Sequence, residues 1–213
     1  MTVREGYNDW AATYDTDENR TRDRDADATR ETLGALRPAR AVEIGCGTGK
    51  NTALLARIAG QVIALDFSEG MLARARARLA GAENVTFARA DIAAPPWPHC
   101  PDASADLVSG NLVLEHIADL TPVLAEAARV LVPGGRLFLC ELHPARQYRG
   151  TVANFARADG EAVSLPAHVH HLTDFTRAAE SAGLTLLALR EWWHAADDPA
   201  GPPRLVSFLW GRG

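Results

Sequence analysis

Three glycines alternate in Gly45-Cys46-Gly47-Thr48-Gly49, directly behind the apolar run Ala41-Val42-Glu43-Ile44. A strand that ends in glycines opens into a turn free of side chains, so its N–H groups and the N-terminus of a following helix can close on a ligand. That chemistry suits a nucleotide-like molecule. Two acids follow at telling places. Asp66 ends the apolar run Gln61 to Leu65, where a carboxylate can accept from ribose hydroxyls. Asp91 stands in Ala90-Asp91-Ile92, where an acid at the rim can accept from a base amine while Ile92 packs on the ring. A dinucleotide fingerprint, G-x-G-x-x-G, needs glycine at position 50 and meets Lys50.

Histidine, with an ordinary pKa of about 6.5, is the side chain suited to take a proton from a hydroxyl or an amine at neutral pH. His143, in Glu141-Leu142-His143-Pro144, closes a strand at the edge where crevices open, and is the first candidate base. Capping the strand end is the other role that place allows. His168, His170 and His171 gather before Asp174, where they could contact substrate or a divalent metal. His171 is the second candidate catalytic residue, and no metal site is assigned. Asp174 beside Thr173 also suits a helix N-cap. His116 could face a pocket or orient the segment after the fourth strand. Trp192 and Trp193 send one indole to each face of a strand, so one packs and the other is free to line a pocket.

Positioning these groups requires strands alternating with helices. Strands are expected at Ala41–Ile44, Gln61–Leu65, Asn84–Phe87, Ala105–Ser109 and Arg136–Leu142, the last after a break at Pro133-Gly134-Gly135. Helices are expected from Thr48 to Ile58, Glu69 to Leu79, Leu120 to Leu131 and Thr173 to Ala182, and two more strands from Leu184 to Trp192 and Arg204 to Trp210. Apolar strands in this alternation predict an α/β fold, a doubly wound Rossmann-like sheet covered by helices on both faces. The 213 residues suit one domain, parsed as N-terminal lid helices (1–37), a core (38–144), a substrate-lid insertion (145–171) and a C-terminal helix with strands (172–213). The sign-alternating run Arg20 to Asp25 reads as a solvated helix face.

Composition excludes several classes. Hydrophobic residues at 47% and charged residues at 23% are those of a globular protein. Three scattered cysteines, Cys46, Cys100 and Cys140, fit a reducing compartment, and with no apolar run near 20 residues a cytoplasmic protein is expected. A net charge of −5 disfavours a phosphate backbone as partner. Lys50 is the lone lysine among many arginines and alanines, a bias resembling high-GC bacterial coding.

Together, Glu43-Ile44-Gly45-Cys46-Gly47-Thr48-Gly49, Leu65-Asp66-Phe67-Ser68 with Met71, Arg89-Ala90-Asp91, and Arg129 to Gly135 resemble the motifs of the class I S-adenosylmethionine-dependent methyltransferases, within their small-molecule group of types 11 and 25. The resemblance runs from about Tyr7 to Pro144. It implies a seven-stranded, mostly parallel sheet with an antiparallel last strand and S-adenosylmethionine as cofactor. It places Glu43, Gly45, Cys46 and Gly47 at the motif that meets the methionine end, Asp66 at the ribose, Phe67, Met71 and Ile92 around the adenine, Asp91 at its amine and Asn111 near the sulfonium. Tyr7 to Asp15 is similar to the family's lid helix, with Tyr14 as the contact. A small-molecule methyl acceptor is the expected partner, with no nucleic acid and no membrane, for a monomer or homodimer. The signatures of base methylation, an Asn-Pro-Pro-aromatic run or a Pro-Cys nucleophile, are missing: Leu112-Val113-Leu114 follows Asn111, and His99 precedes Cys100. A sensor or partner protein that binds the cofactor without transferring its methyl group is the alternative, and RNA methylation a further one.

Overall fold

Each central strand carries apolar side chains on both faces, which forces a two-sided core. The structure, a computed structural model, describes residues 1–16, 18–156 and 161–213. In β1 (Arg40–Ile44), Val42 and Ile44 face one side and Ala41 the other. In β5 (Leu131–Leu142), Leu137 and Leu139 join the first side and Phe138 and Cys140 the second, as the two-residue period of a strand requires. The first face is covered by Val123, Leu124 and Ala127 of α5 (Thr121–Val130) and by Phe175 and Ala178 of α7 (Leu172–Ser181). The second is covered by Ala28 and Leu33 of α2 (Arg20–Leu33) and by Leu54, Leu55 and Ile58 of α3 (Thr52–Ile58). Each fully buried Leu, Ile or Phe contributes roughly 1.5–3 kcal/mol.

Seven strands form one sheet in the order β3-β2-β1-β4-β5-β9-β8. Here β2 is Gln61–Asp66, β3 Val85–Arg89, β4 Ala105–Asn111, β8 Leu184–Trp192 and β9 Leu205–Arg212. The first five pair in parallel, and β9 runs antiparallel to both β5 and β8, so the α/β sheet with an antiparallel last strand is the observed fold. The order reverses between β1 and β4, where an open α/β sheet leaves a crevice at its strand ends.

Three expectations are corrected. Helix α3 begins at Thr52 rather than Thr48, because Gly45, Gly47 and Gly49 hold φ of +68°, +53° and +81°, which a right-handed helix cannot use. Strand β5 begins at Leu131, so Pro133-Gly134-Gly135 is an irregularity inside the strand, with the register against β4 shifting there. The expected lid insertion carries β6 (Asn154–Ala156) and β7 (Ala162–Ser164), a two-stranded sheet, behind α6 (Pro144–Gln147). Phe155, Val163 and Leu165 of this region pack on Trp10 of α1 (Val3–Trp10). Last, the run Arg20 to Asp25 is no simple solvated face: Asp25 is buried, and Arg24 lies over the ring of Trp192, 4.7 Å from its centroid. Asp17, and residues 157–160 of the expected lid, lie outside the described residues.

Candidate active site

The C-terminal ends of β1 to β4 meet beneath α1 around a cavity of about 210 Å³. Gly45 and Gly47 supply the turn after β1, Asp66 and Phe67 the end of β2, Asp91 and Ile92 the loop after β3, and Asn111 the end of β4; Met71 and Tyr14 complete the wall. The glycines are needed for different reasons. A Cβ on Gly45 would come within 2.4 Å of Val113 Cγ2, whereas one on Gly47 would project into open space. The turn itself, not the first turn of α3, therefore faces the cavity.

Two expected contacts do not reach it with their side chains. Cys46 turns its thiol into a core cluster with Ala64 and Leu72. Glu43 is buried behind the turn, where its Oε2 accepts from Thr52 Oγ1 at 2.5 Å, and burial pushes its carboxyl up to about 8.

Asp66 accepts from the N–H groups of Gly47 and Ser68, both at 2.8 Å. Burial raises its pKa against those hydrogen bonds, and the residue lines the cavity. Asn111 is oriented from outside the motif. Its Nδ2 donates to Asp25 Oδ1 at 2.6 Å and to Thr29 Oγ1 at 2.8 Å, and because a carboxylate only accepts, the amide cannot be reversed. Its Oδ1 is consequently a buried acceptor with no partner among the described residues. An amine or hydroxyl of a ligand in the cavity would fill that need. Asp25 also receives Asn51 Nδ2 at 2.9 Å, so one acid of α2 aligns the turn and the end of β4 together. The motif reading missed Asp25, since an acid in a charged run carries no mark of burial.

A second, more polar cavity of about 380 Å³ adjoins the first across Tyr7, Tyr14 and Leu112, which line both. Leu112 holds φ of +52°, a conformation that costs a side-chain-bearing residue roughly 1–2 kcal/mol. Strain of this kind is retained where a site fixes it. Over the wall, α1 is pinned by Asn8 Oδ1, which accepts from Ser68 Oγ at 2.7 Å and Gly70 N at 3.1 Å. Asp15 accepts from Thr48 Oγ1 at 2.9 Å and pairs with Arg78 at 2.6 Å. Arg22 caps Tyr14, 4.1 Å above its ring.

The histidines disperse. His143 lines neither cavity: its Nδ1 accepts from Ala145 N at 3.1 Å and its Nε2 donates to Glu191 Oε1 at 3.0 Å, so it caps α6 with both nitrogens engaged. His171 is exposed and takes a 2.6 Å hydrogen bond at Nδ1 with the Tyr148 hydroxyl, while its main-chain N–H donates to Asp174. His170 is buried and donates through Nε2 to the carbonyls of Leu114 and Ile117. Among the described residues, no three His, Cys, Asp or Glu side chains gather as a metal site. Of the tryptophans, Trp192 packs and Trp193 lies half exposed, bonded to the Gly201 carbonyl. The histidine that does line the first cavity is His116. Its Nδ1 donates to the Pro166 carbonyl at 2.8 Å, so Nε2 accepts from the Tyr7 hydroxyl at 2.9 Å. Burial holds His116 below its ordinary pKa and Tyr7 well above its own, which keeps both neutral.

Comparison with known proteins bears on the family and the fold. The family described as "Methyltransferase domain" matches residues 42–139, from β1 into β5. The demethylmenaquinone methyltransferase of Clavibacter sepedonicus is 39% identical over 114 residues, 54% of this chain, though the match spans only 45% of that protein's length. The ubiquinone biosynthesis O-methyltransferase of Xanthomonas oryzae pv. oryzae is 33% identical over 180 residues, 74% of this chain and 71% of its own. Among solved structures, the N-methyltransferase NodS from Bradyrhizobium japonicum in complex with S-adenosylhomocysteine shares the fold at a TM-score of 0.74 and 19% identity, over 100% of this chain and 99% of that one. With 33% identity to the Xanthomonas O-methyltransferase over most of both chains, and the family's motifs at the mouth of its parallel sheet, the chain belongs to the class I S-adenosylmethionine-dependent methyltransferases.

Proposed function

We propose that the chain transfers a methyl group from S-adenosylmethionine, held in the first cavity, to a small-molecule acceptor held in the second. The observation that carries this reading is the shared wall: one cavity presents Asp66, Asp91 and the unpartnered Asn111 Oδ1, and the other lies directly across Tyr7, Tyr14 and Leu112. The cofactor supplies a methyl group already activated by a sulfonium, so the residues have chiefly to orient the acceptor and exclude water. Asp66 would accept from ribose hydroxyls, Asp91 from the adenine amine, and Asn111 Oδ1 from an N–H at the methionine end. Tyr7, fixed by His116, and Tyr14, fixed by Arg22, would shape the passage between the cavities. The open second cavity favours an enzyme over a sensor, and a net charge of −5 favours a small acceptor over RNA. No helix among the described residues is long and apolar enough to cross a membrane.

Calorimetry with S-adenosylmethionine and S-adenosylhomocysteine, with NADH as control, tests the reading. Micromolar binding of the sulfur compounds alone is expected. Asp66→Ala should weaken it by about 1.5–3 kcal/mol through loss of charge-assisted hydrogen bonds. Binding of NADH instead, or equal affinity in the variant, would overturn the assignment.

A further inference from the structure

We infer that Glu115 is the proton acceptor of the second cavity and that its substrate is an amine, which enters as an ammonium ion. The inference rests on the methyl-transfer reading and assigns the acceptor's class. Glu115 sits in the 3-10 turn Leu114–His116 that follows β4, with its side chain 9% exposed and lining the second cavity. The molecule buries several other acids, and each is satisfied from within. Asp66 takes main-chain N–H groups, Asp25 takes two amides, Glu43 takes the Thr52 hydroxyl at 2.5 Å, Glu141 takes the N–H groups of Val113 and Leu114, and Glu126 pairs with Arg129. Glu115 has Gln147 Nε2 at 3.5 Å; His116 Nε2, 3.9 Å away, is taken up as the acceptor of the Tyr7 hydroxyl, and no Lys or Arg pairs with Glu115 among the described residues. A buried carboxylate left this open is costly unless a cation or proton arrives.

The surroundings point to an ammonium. Tyr7, Trp10 and Tyr14 line the same cavity, and aromatic faces attract cations. Arg22, which lines the cavity as well, already takes the Tyr14 face 4.1 Å from its centroid and lies 5.7 Å from that of Trp10, so an entering ammonium shares the cavity with one fixed cation. Of the other charged groups facing the cavity, Arg204 is committed to Asp197, while Glu18 and Arg20 are exposed. Behind the turn lies Glu141 of β5, and His168 approaches through its main-chain N–H, which donates to the Glu115 carbonyl at 2.6 Å. Neutral His116 and Tyr7 add no charge. Burial lifts Glu115 to about 7, the range in which a carboxylate can take and release a proton at neutral pH.

The chemistry balances. The ammonium passes one proton to a Glu115 oxygen, turning a buried ion pair into two neutral groups, a change that low polarity favours. The freed nitrogen lone pair forms the new N–C bond to the methyl group. The S–C bond breaks with its electron pair left on sulfur, giving a neutral thioether and a methylammonium product. A phenol would instead leave a buried anion beside the acid.

The test uses the whole chain saturated with S-adenosylhomocysteine, titrated calorimetrically with benzylamine and with phenol at pH 8. Benzylamine is expected to bind, and Glu115→Gln, which keeps the shape, to weaken it about tenfold or more while leaving S-adenosylhomocysteine affinity unchanged. With S-adenosylmethionine, mass spectrometry should find N-methylbenzylamine at a rate that rises through pH ~7 in the native protein and shows no such rise in the variant. Equal benzylamine affinity in the variant, preference for phenol, or an unaltered pH profile overturns the assignment. If S-adenosylhomocysteine itself fails to bind, the methyl-transfer reading falls, and benzylamine titrated alone against both proteins still decides the ammonium site.

Discussion

Asp25→Asn offers a sharp test of how the cofactor cavity is built, because it alters one atom of a residue outside the family's motifs. The native carboxylate accepts from Asn111 Nδ2 at 2.6 Å and from Asn51 Nδ2 at 2.9 Å. An amide at position 25 offers one acceptor and one donor, so one of those hydrogen bonds is lost and a donor meets a donor. If Asn51 keeps its bond, the Asn111 amide must turn over to receive the new N–H, and it then presents Nδ2 to the cavity in place of the unpartnered Oδ1. One charge-assisted hydrogen bond in a buried setting is worth roughly 1.5–3 kcal/mol. The fold should lose stability of that order in urea titration. S-adenosylhomocysteine affinity, measured by calorimetry, should fall by a similar free energy, about 10- to 150-fold. A second change, Asn111→Asp in the same chain, exchanges donor and acceptor and returns an oxygen to the cavity. The pair should recover most of the affinity that the single variant loses. Unchanged affinity in Asp25→Asn, or a double variant no better than the single one, would refute the claim that α2 sets the polarity of Asn111.

Two further outcomes follow from the turn and the acid behind it. Gly45→Ala combines φ of +68° with a Cβ 2.4 Å from Val113 Cγ2, so it should destabilise the protein by about 1–3 kcal/mol in thermal or urea unfolding; wild-type stability would mean the turn relaxes freely. Glu43 has its folded pKa raised to about 8 from an ordinary 4.5. Between those values the unfolded chain has released the proton and the folded chain still holds it, so stability falls as pH rises through that window, by up to ~1.4 kcal/mol per pH unit for this group. Glu43→Gln carries no titrating proton, and urea titrations at pH 5 and pH 8 should show it losing less stability than the native protein. Parallel pH dependence in the two proteins would place the Glu43 proton elsewhere.

Local chemistry in the sequence determined much of this protein. The strand-turn-glycine pattern, the apolar runs of β1, β2, β4 and β5, and the acids Asp66 and Asp91 are legible because each depends on its immediate neighbours: glycines permit positive φ, and strand ends expose the next residue. The sheet and nearly all of the first cavity follow from that. Tertiary structure decided the rest. Which way Glu43 and Cys46 point depends on what lies behind the turn. Whether Asp25 is solvated depends on α2 docking against the sheet, which no charge pattern within residues 20–25 reveals. The histidines show the same limit: His143 and His171 stand at strand and helix ends, where capping claims their nitrogens, while His116 reaches the cavity only because the segment around Pro166 folds back over it. Glu115 could not be told from any loop acid, because its burial, with Gln147 and no described Lys or Arg beside it, arises from α1, α6 and the 3-10 turn converging from distant parts of the chain. Burial and electrostatics are sums over neighbours in space, and the sequence alone names only the neighbours along the chain.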